Sequence, residues 1–304
     1  MKKWRCVLSI PGDSMYLREQ TAAAKATADR LGVELDVVSA DMDPVAQGQQ
    51  LLRFIQSQPG SRPDGILLEP VSAAGLPRVA EAAVAAGIGW LVSNAQVEYL
   101  AMLRRKARVP VFLVSQDHVE VGRMQARQIA AMFPSGGMIL YLRGPGMSSL
   151  ASRRFEGLES AKPHNIEVKV LKVQGSTAEN AYHAVCSWLG LSIGRPDPTR
   201  LIVSQNADFI FGARKAFETN TNEPDRSKWL AVPCVGVGVA NQVKPLVDQG
   251  VLCAAVLTSL TMDRALEMLV QAMRDGSQPP EQSFVAAQSY PSLEQLAQRP
   301  GKRL

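Results

Sequence analysis

Histidine is scarce, with 3 residues in 304. His118, His164 and His183 make no HExxH motif and no pair four apart, which argues against a histidine-built metal site. Cysteine is nearly as rare. The 4 residues Cys6, Cys186, Cys234 and Cys253 form no CxxC pair and keep no regular spacing, so neither a disulfide framework nor a zinc site is expected. There is no GxSxG nucleophile elbow and no GxxxxGK[ST] phosphate loop. No run is long and apolar enough to span a bilayer, so membrane insertion is not expected. Lys2, Lys3 and Arg5 look like the charged start of a leader, but the run Arg5–Ile10 ends at Pro11-Gly12. As written the chain is therefore expected in the cytoplasm, and in the periplasm if the true start lies upstream.

Charge of one sign is also weak. Lys plus Arg total 33 against 28 Asp plus Glu, a net charge of +5. The one dense basic cluster, Arg104, Arg105, Lys106 and Arg108, reads as a solvated surface segment. Nucleic acid is not expected as a direct partner, because that needs basic residues gathered on one face.

What is present is alternation. Apolar, β-branched runs recur at Cys6–Ile10, Val33–Val38, Gly65–Leu68, Ile88–Val92, Val111–Val114, Met138–Leu142, Ile166–Val173, Leu201–Ser204, Val232–Val237 and Leu252–Leu257. Several are continuous Val/Ile/Leu stretches, as parallel strands covered on both faces require. Cys6, Cys234 and Cys253 sit inside such runs as small core hydrophobes. Between the runs lie helical patterns. Asp43 is placed to cap a helix with Pro44 at its first position, and Val45, Leu51, Leu52 and Ile55 fall on one face. Ser72 is expected to cap a helix with Leu76, Val79, Ala83 and Val84 inward, closed by Gly87. Ala178, Ala181, Val185, Trp188 and Leu189 repeat the pattern, as do Leu266, Leu269, Val270 and Met273 before Gly276. Strand, helix and strand at this spacing predict right-handed βαβ units in a doubly wound α/β fold.

About ten strands exceed one ordinary open sheet, so two lobes are expected. No linker separates them, as when the backbone crosses between lobes through short hinges. The expected division is 1–115 plus 259–284 for the N-terminal lobe and 116–258 plus 285–304 for the C-terminal lobe, with a ligand cleft between them. Ala95–Pro110 reads as a local insertion, and Pro291–Leu304 is expected to fray.

Several stretches resemble the type I periplasmic binding proteins, namely the ribose-type sugar-binding proteins and the effector domains of LacI-type repressors. Val7-Leu8-Ser9-Ile10-Pro11-Gly12-Asp13-Ser14-Met15-Tyr16 is similar to the family's opening strand and cleft loop. Gln205-Asn206-Ala207-Asp208-Phe209-Ile210-Phe211-Gly212-Ala213 is similar to its Q-N-D-x-x-A-x-G-A stretch. Val235-Gly236-Val237-Gly238, followed by Gly250–Val256, resembles V-G-F-D and then G-x-L-x-A-T-I. Gly65–Pro70 matches an I-L-x-x-P strand end, and Ser152–Gly157 matches an R-x-R-x-x-G-F helix imperfectly.

The resemblance implies two parallel-sheet lobes and no catalysis, cofactor or metal. It implies closure on a small polar ligand, a carbohydrate or related polyol, for ABC-type uptake or intracellular sensing. A permease or regulatory protein is the implied partner, with a second copy of the chain as a further candidate. The ligand positions it implies are Ser9, Asp13, Met15, Tyr16, Glu69, Ser93, Asn94, Ser152, Ser176, Asn206, Gly238 and Thr258, with Arg153 as a replacement cation. Arg143 is the alternative replacement cation, and Asp208 remains beside them, though it also reads as a first-turn helix acid. Asp13 and Asn206 read equally as helix caps, and Tyr16 as half-buried core. The family's charged clamps are largely missing, since its Asp falls on Gly238, its Asp-Arg pair near Ser93-Asn94 and its binding Arg on Ser152. A nucleotide-dependent enzyme using Gly236–Asn241 is the alternative reading.

Overall fold

The computed structural model describes residues 3–72, 75–145, 149–191 and 198–298, without the side chain of Met15. The first elements are β1 (Arg5–Ile10), α1 (Met15–Leu31), β2 (Glu34–Ser39), α2 (Pro44–Ile55), β3 (Gly65–Leu68) and α3 (Leu76–Ala85). Then come β4 (Gly89–Ser93), α4 (Tyr99–Lys106), β5 (Val111–Gln116), α5 (His118–Met132), β6 (Gly137–Arg143) and α6 (Ser149–Ala161). They are followed by β7 (Ile166–Lys172), α7 (Ala178–Leu189), β8 (Thr199–Ser204), α8 (Ala207–Asn220), α9 (Asp225–Ala231) and β9 (Cys234–Val239). The last are α10 (Ala240–Asp248), β10 (Ala254–Thr258), α11 (Met262–Asp275), β11 (Gln282–Val285), β12 (Gln288–Tyr290) and α12 (Leu293–Ala297).

Two compact units share these elements. Unit 1 holds Met1–Gln116 and Leu260–Val285, and unit 2 holds Asp117–Ser259 and Ala286–Leu304. Unit 1 has a six-stranded sheet ordered β11-β5-β4-β3-β1-β2, and unit 2 one ordered β12-β10-β9-β8-β6-β7. Every pairing is parallel except β10 with β12.

The inner strands β3, β4 and β5 are buried at every residue, because helices cover both faces and leave no polar side to the pattern. Leu8, Leu67, Leu91 and Phe112 pack on one face with α1 and α11. Ile66, Leu68, Trp90 and Leu113 pack on the other with α2, α3 and α4. The edge strands β2 and β7 instead carry charges and alternate in exposure, which blunts them against further strand addition.

Local signals place most helix ends. Asp43 accepts from the backbone N–H groups of Val45 and Ala46, with Pro44 in the first turn. Gly32 and Gly276 end α1 and α11 in the left-handed conformation that glycine tolerates without strain. Several expectations need correction. Gly75 at φ 80, and not Ser72, sits at the start of α3. Val45 is 64% exposed, since its place in the first turn of α2 points it off the sheet. Ala95–Pro110 contains α4, which buries Leu100 and Leu103, while Arg104 reaches back to the carbonyls of Val111 and Pro279. The tail does not fray at its start. Ser292 and Gln295 form a capping box for α12, and Leu296 joins the core of unit 2. Residues 299–304 lie outside those described. The short edge strands β11 and β12 had no apolar run to announce them.

Two glycines let α5 and α6 touch. A Cβ on Gly122 would stand 2.0 Å from the carbonyl oxygen of Arg154, and one on Gly157 would stand 2.0 Å from that of Val119. Both obstacles are helix backbone, so relief requires the helices to part. Gly122→Ala and Gly157→Ala should each destabilise unit 2 by about 1–3 kcal/mol or more, read as a lower midpoint of thermal unfolding. Gly60→Ala, which meets nothing within 4 Å, should change it by less than about 0.5 kcal/mol. Equal midpoints for all three would refute the close-contact account.

Candidate functional site

In an open parallel sheet the strand order reverses at one place, and the loops leaving the carboxyl ends diverge there to leave a crevice. The reversal falls between β1 and β3 in unit 1 and between β6 and β8 in unit 2. Polar residues collect at both.

In unit 1 they form one chain of hydrogen bonds. Asn94, just past β4, stands at φ 55, a left-handed conformation that asparagine accepts more readily than most residues. Its Nδ2 donates to Tyr16 Oη at 2.8 Å and to Glu69 Oε2 at 3.0 Å. Tyr16 Oη also accepts from Gln20 Nε2. Gln20 in turn donates to Thr261 Oγ1 at 3.1 Å, and its Oε1 accepts from the backbone N–H groups of Thr261 and Met262 at 3.0 Å. Ser93 Oγ lies 2.9 Å from Thr261 Oγ1. The start of α11 thereby holds Tyr16, which holds Asn94, which holds Glu69. Gln47 supports the same edge, with Nε2 donating to Ser9 Oγ at 3.1 Å and to the Glu69 carbonyl at 3.0 Å.

Two features of this cluster are costly unless something else is bound. Asn94 Oδ1 is buried and accepts no hydrogen bond among the described residues; such a group costs about 1–3 kcal/mol. Glu69 is reached in part by solvent, yet protein crowds its carboxyl. Desolvation pushes it up to about 7 from its ordinary 4.5, against the opposing pull of the Asn94 hydrogen bond.

In unit 2 the reversal point is filled by Gln205. Its Oε1 accepts from Gly144 N at 2.9 Å, and its Nε2 donates to Tyr141 Oη at 3.0 Å and to the Ala151 carbonyl at 2.8 Å. Arg154, buried, donates to the Gln205 carbonyl at 2.5 Å. Asn206 caps α8 through Oδ1, which accepts from Asp208 N at 3.1 Å, and its Nδ2 donates to the Ser176 carbonyl at 3.1 Å. Asp208 stands in the first turn of α8, its carboxyl pushed up by desolvation. Arg143 lies over the Phe155 ring at 4.7 Å and donates to Ser152 Oγ at 3.3 Å.

The expected residues thus separate. Ser9, Tyr16, Glu69, Ser93 and Asn94 belong to one cluster, and Ser176, Asn206 and Asp208 to another. Ser152 is tied to Arg143, Arg153 is half-buried beside it on α6, and Thr258 is buried at the end of β10. Asp13 stands apart on the surface. Arg18 holds it bidentately at 2.6 and 2.8 Å, and that hydrogen bonding lowers its carboxyl. Ser14, not Asp13, caps α1. The Met15 side chain lies outside the described residues. A Cβ on Gly238 would meet Val243 Cγ1 at 2.6 Å, and one on Gly236 would meet Ala207 at 3.2 Å. Those glycines make room for protein atoms. Sequence reasoning missed Gln20, Gln47, Thr261 and Gln205. The available signal was an uncharged polar residue on an otherwise apolar helix face or at a strand end.

The raised Glu69 carboxyl makes stability depend on pH. The folded chain holds this proton more tightly than the unfolded one. The stability it contributes is therefore fully present below about 4.5 and is lost as pH rises through about 7. Glu69→Gln should gain stability relative to the parent chain across that window, with a slope of at most about 1.4 kcal/mol per pH unit. Denaturant melts at stepped pH test this, and parallel profiles would count against it.

The profile of the periplasmic binding protein domain matches residues 7–277. No curated protein matches the chain. An ABC transporter solute-binding protein from Bacillus halodurans, solved with bound myo-inositol, superposes with a TM-score of 0.79 at 17% identity, over 97% of this chain and 96% of its own. One from Mycobacterium smegmatis with bound glycerol gives 0.77 at 21% identity, over 99% and 98%. One from Actinobacillus succinogenes with bound D-allose gives 0.79 at 16% identity, over 97% and 100%. At such identities the structures speak for the fold, the type I arrangement of two parallel-sheet units. The profile speaks for descent: this chain belongs to the periplasmic binding protein family, whose members bind solutes rather than transform them.

Proposed function

We propose that the protein binds a small polyhydroxylated solute, a carbohydrate or related polyol, and passes it to an ATP-driven permease. Polar residues at the strand ends of each unit are the candidates to hold the solute. The observation that carries this reading is the unit 1 cluster, where Asn94 Oδ1 is buried without a partner beside the raised carboxyl of Glu69. A hydrogen-bonding ligand removes both costs. The solved relatives support the class, since those named hold inositol, glycerol and allose. The chain passes between the units at three points, 116/117, 259/260 and 285/286.

In this reading Tyr16, Glu69 and Asn94 hold the ligand from unit 1 and Asn206 from unit 2. Ser9 and Ser93 belong to the same unit 1 cluster, and Gln20 and Thr261 set the position of Tyr16. Asp13 has its partner in Arg18 and plays no part.

A thermal-shift screen over sugars, polyols, amino sugars and nucleotides tests the class. A ligand at 100 times its Kd should stabilise the fold by about 2.7 kcal/mol. Stabilisation by NAD or ATP with none from any sugar, polyol or amino sugar would reject the reading. For the ligand found, Asn94→Ala should weaken binding by about ten- to a hundredfold. Asn206→Ser should weaken it too while keeping the α8 cap. Unchanged titration isotherms for both would remove these residues from the site.

A further inference from the structure

We propose that the unit 1 cluster is built for a protonated amine, so that the ligand is an amino sugar or aminated polyol held through its ammonium group by Glu69 and Asn94 Oδ1. This rests on the binding reading above and narrows it.

Donors and acceptors in the cluster do not balance. Asn94 Nδ2 spends its two hydrogens on Tyr16 Oη and Glu69 Oε2. Above about pH 7, where Glu69 is ionised, the carboxylate only accepts, so the nitrogen faces it and Oδ1 is the end of the amide that remains. What remains is Oδ1, an acceptor. The neighbouring polar groups are engaged. Ser9 Oγ accepts from Gln47 Nε2, and Gln47 Oε1 accepts from Val71 N at 2.9 Å. Ser93 Oγ pairs with Thr261 Oγ1, and Gln20 Oε1 takes two backbone N–H groups. Two acceptors are left over, the Glu69 carboxyl and Asn94 Oδ1.

A hydroxyl brings a single donor, which satisfies one of these two acceptors and leaves the other. An ammonium brings donors alone. Charge points the same way. Among the described residues no lysine, arginine or histidine forms an ion pair with Glu69, and the one group that favours its ionised form is the Asn94 amide. A carboxylate crowded by protein with no cation beside it is a site for a cation that arrives from outside. An anionic solute would be repelled.

Matched pairs that differ by an amine for a hydroxyl test the proposal, with isothermal titration of the whole chain at about pH 7.5. The probes are glucamine against sorbitol, glucosamine against glucose and galactosamine against galactose. In at least one pair the amine should bind about tenfold tighter or more, the gain expected of a hydrogen bond to a charged group. Glu69→Gln keeps the shape and removes the charge, and should bring that pair to within about twofold. Equal or tighter binding of the neutral member in every pair overturns this proposal and leaves the binding reading standing, as does an amine preference that survives Glu69→Gln. If no amine and no neutral partner binds, and the wider screen of sugars and polyols is also silent, both fall together.

Discussion

A parallel strand cannot be joined to its neighbour by a tight turn. Each must be followed by a crossover that returns the chain to the starting edge, so every loop after a strand leaves on the same side. That constraint orders both sheets here. The apolar middle of β1, β3 and β4 supplies the core, and the polar residues at its end, from Ser9 to Asn94, satisfy most of one another's hydrogen bonds there and leave Asn94 Oδ1 for water or a guest. The polar chain from Thr261 through Gln20 and Tyr16 to Asn94 is what this geometry yields when α11 is threaded beside α1. A residue far along the chain thereby fixes the posture of groups near its beginning.

How much of this the sequence disclosed depended on the strength of its periodicity. The strands of the sheet interiors were legible because both faces are covered and the runs are unbroken, as at Gly65–Leu68 and Val111–Val114. Asp43-Pro44 marked a helix start because capping and fixed φ agree. The edge strands β11 and β12 were illegible for the opposite reason. Their stability comes from backbone pairing with β5 and β10, which leaves no trace in side chains such as Gln282 and Gln288. The α4 segment was misread because a short helix that buries only Leu100 and Leu103 has too little pattern to stand out. Asp13 was placed by position in a motif, yet five residues on lies Arg18, whose guanidinium reaches it. Glu69 and Asn94 were picked by resemblance. Their mutual hydrogen bond joins residues 25 apart in sequence, a pairing only the sheet order reveals.

The departures from the family's pattern become intelligible at the same level. At Gly238, where the resemblance implied an acid, Val243 occupies the space a side chain would need. Arg143 lies against Phe155 and Ser152, and Arg154 is drawn inward to the Gln205 carbonyl, so neither arginine reads as a free clamp. The charge in the unit 1 cluster is the single carboxyl of Glu69, just past the end of β3.

The cysteines carry a last consequence. Burial pushes the thiols of Cys6 and Cys253 up to about 12 and that of Cys234 up to about 11. At neutral pH the reactive thiolate is then present in on the order of one molecule in ten thousand or fewer. Sulfur kept in that form is slow toward peroxide, toward disulfide exchange and toward soft metals alike. These three interior residues therefore behave as spectators in oxidising and reducing surroundings, and the fold can be exported or retained without any change in its covalent chemistry there.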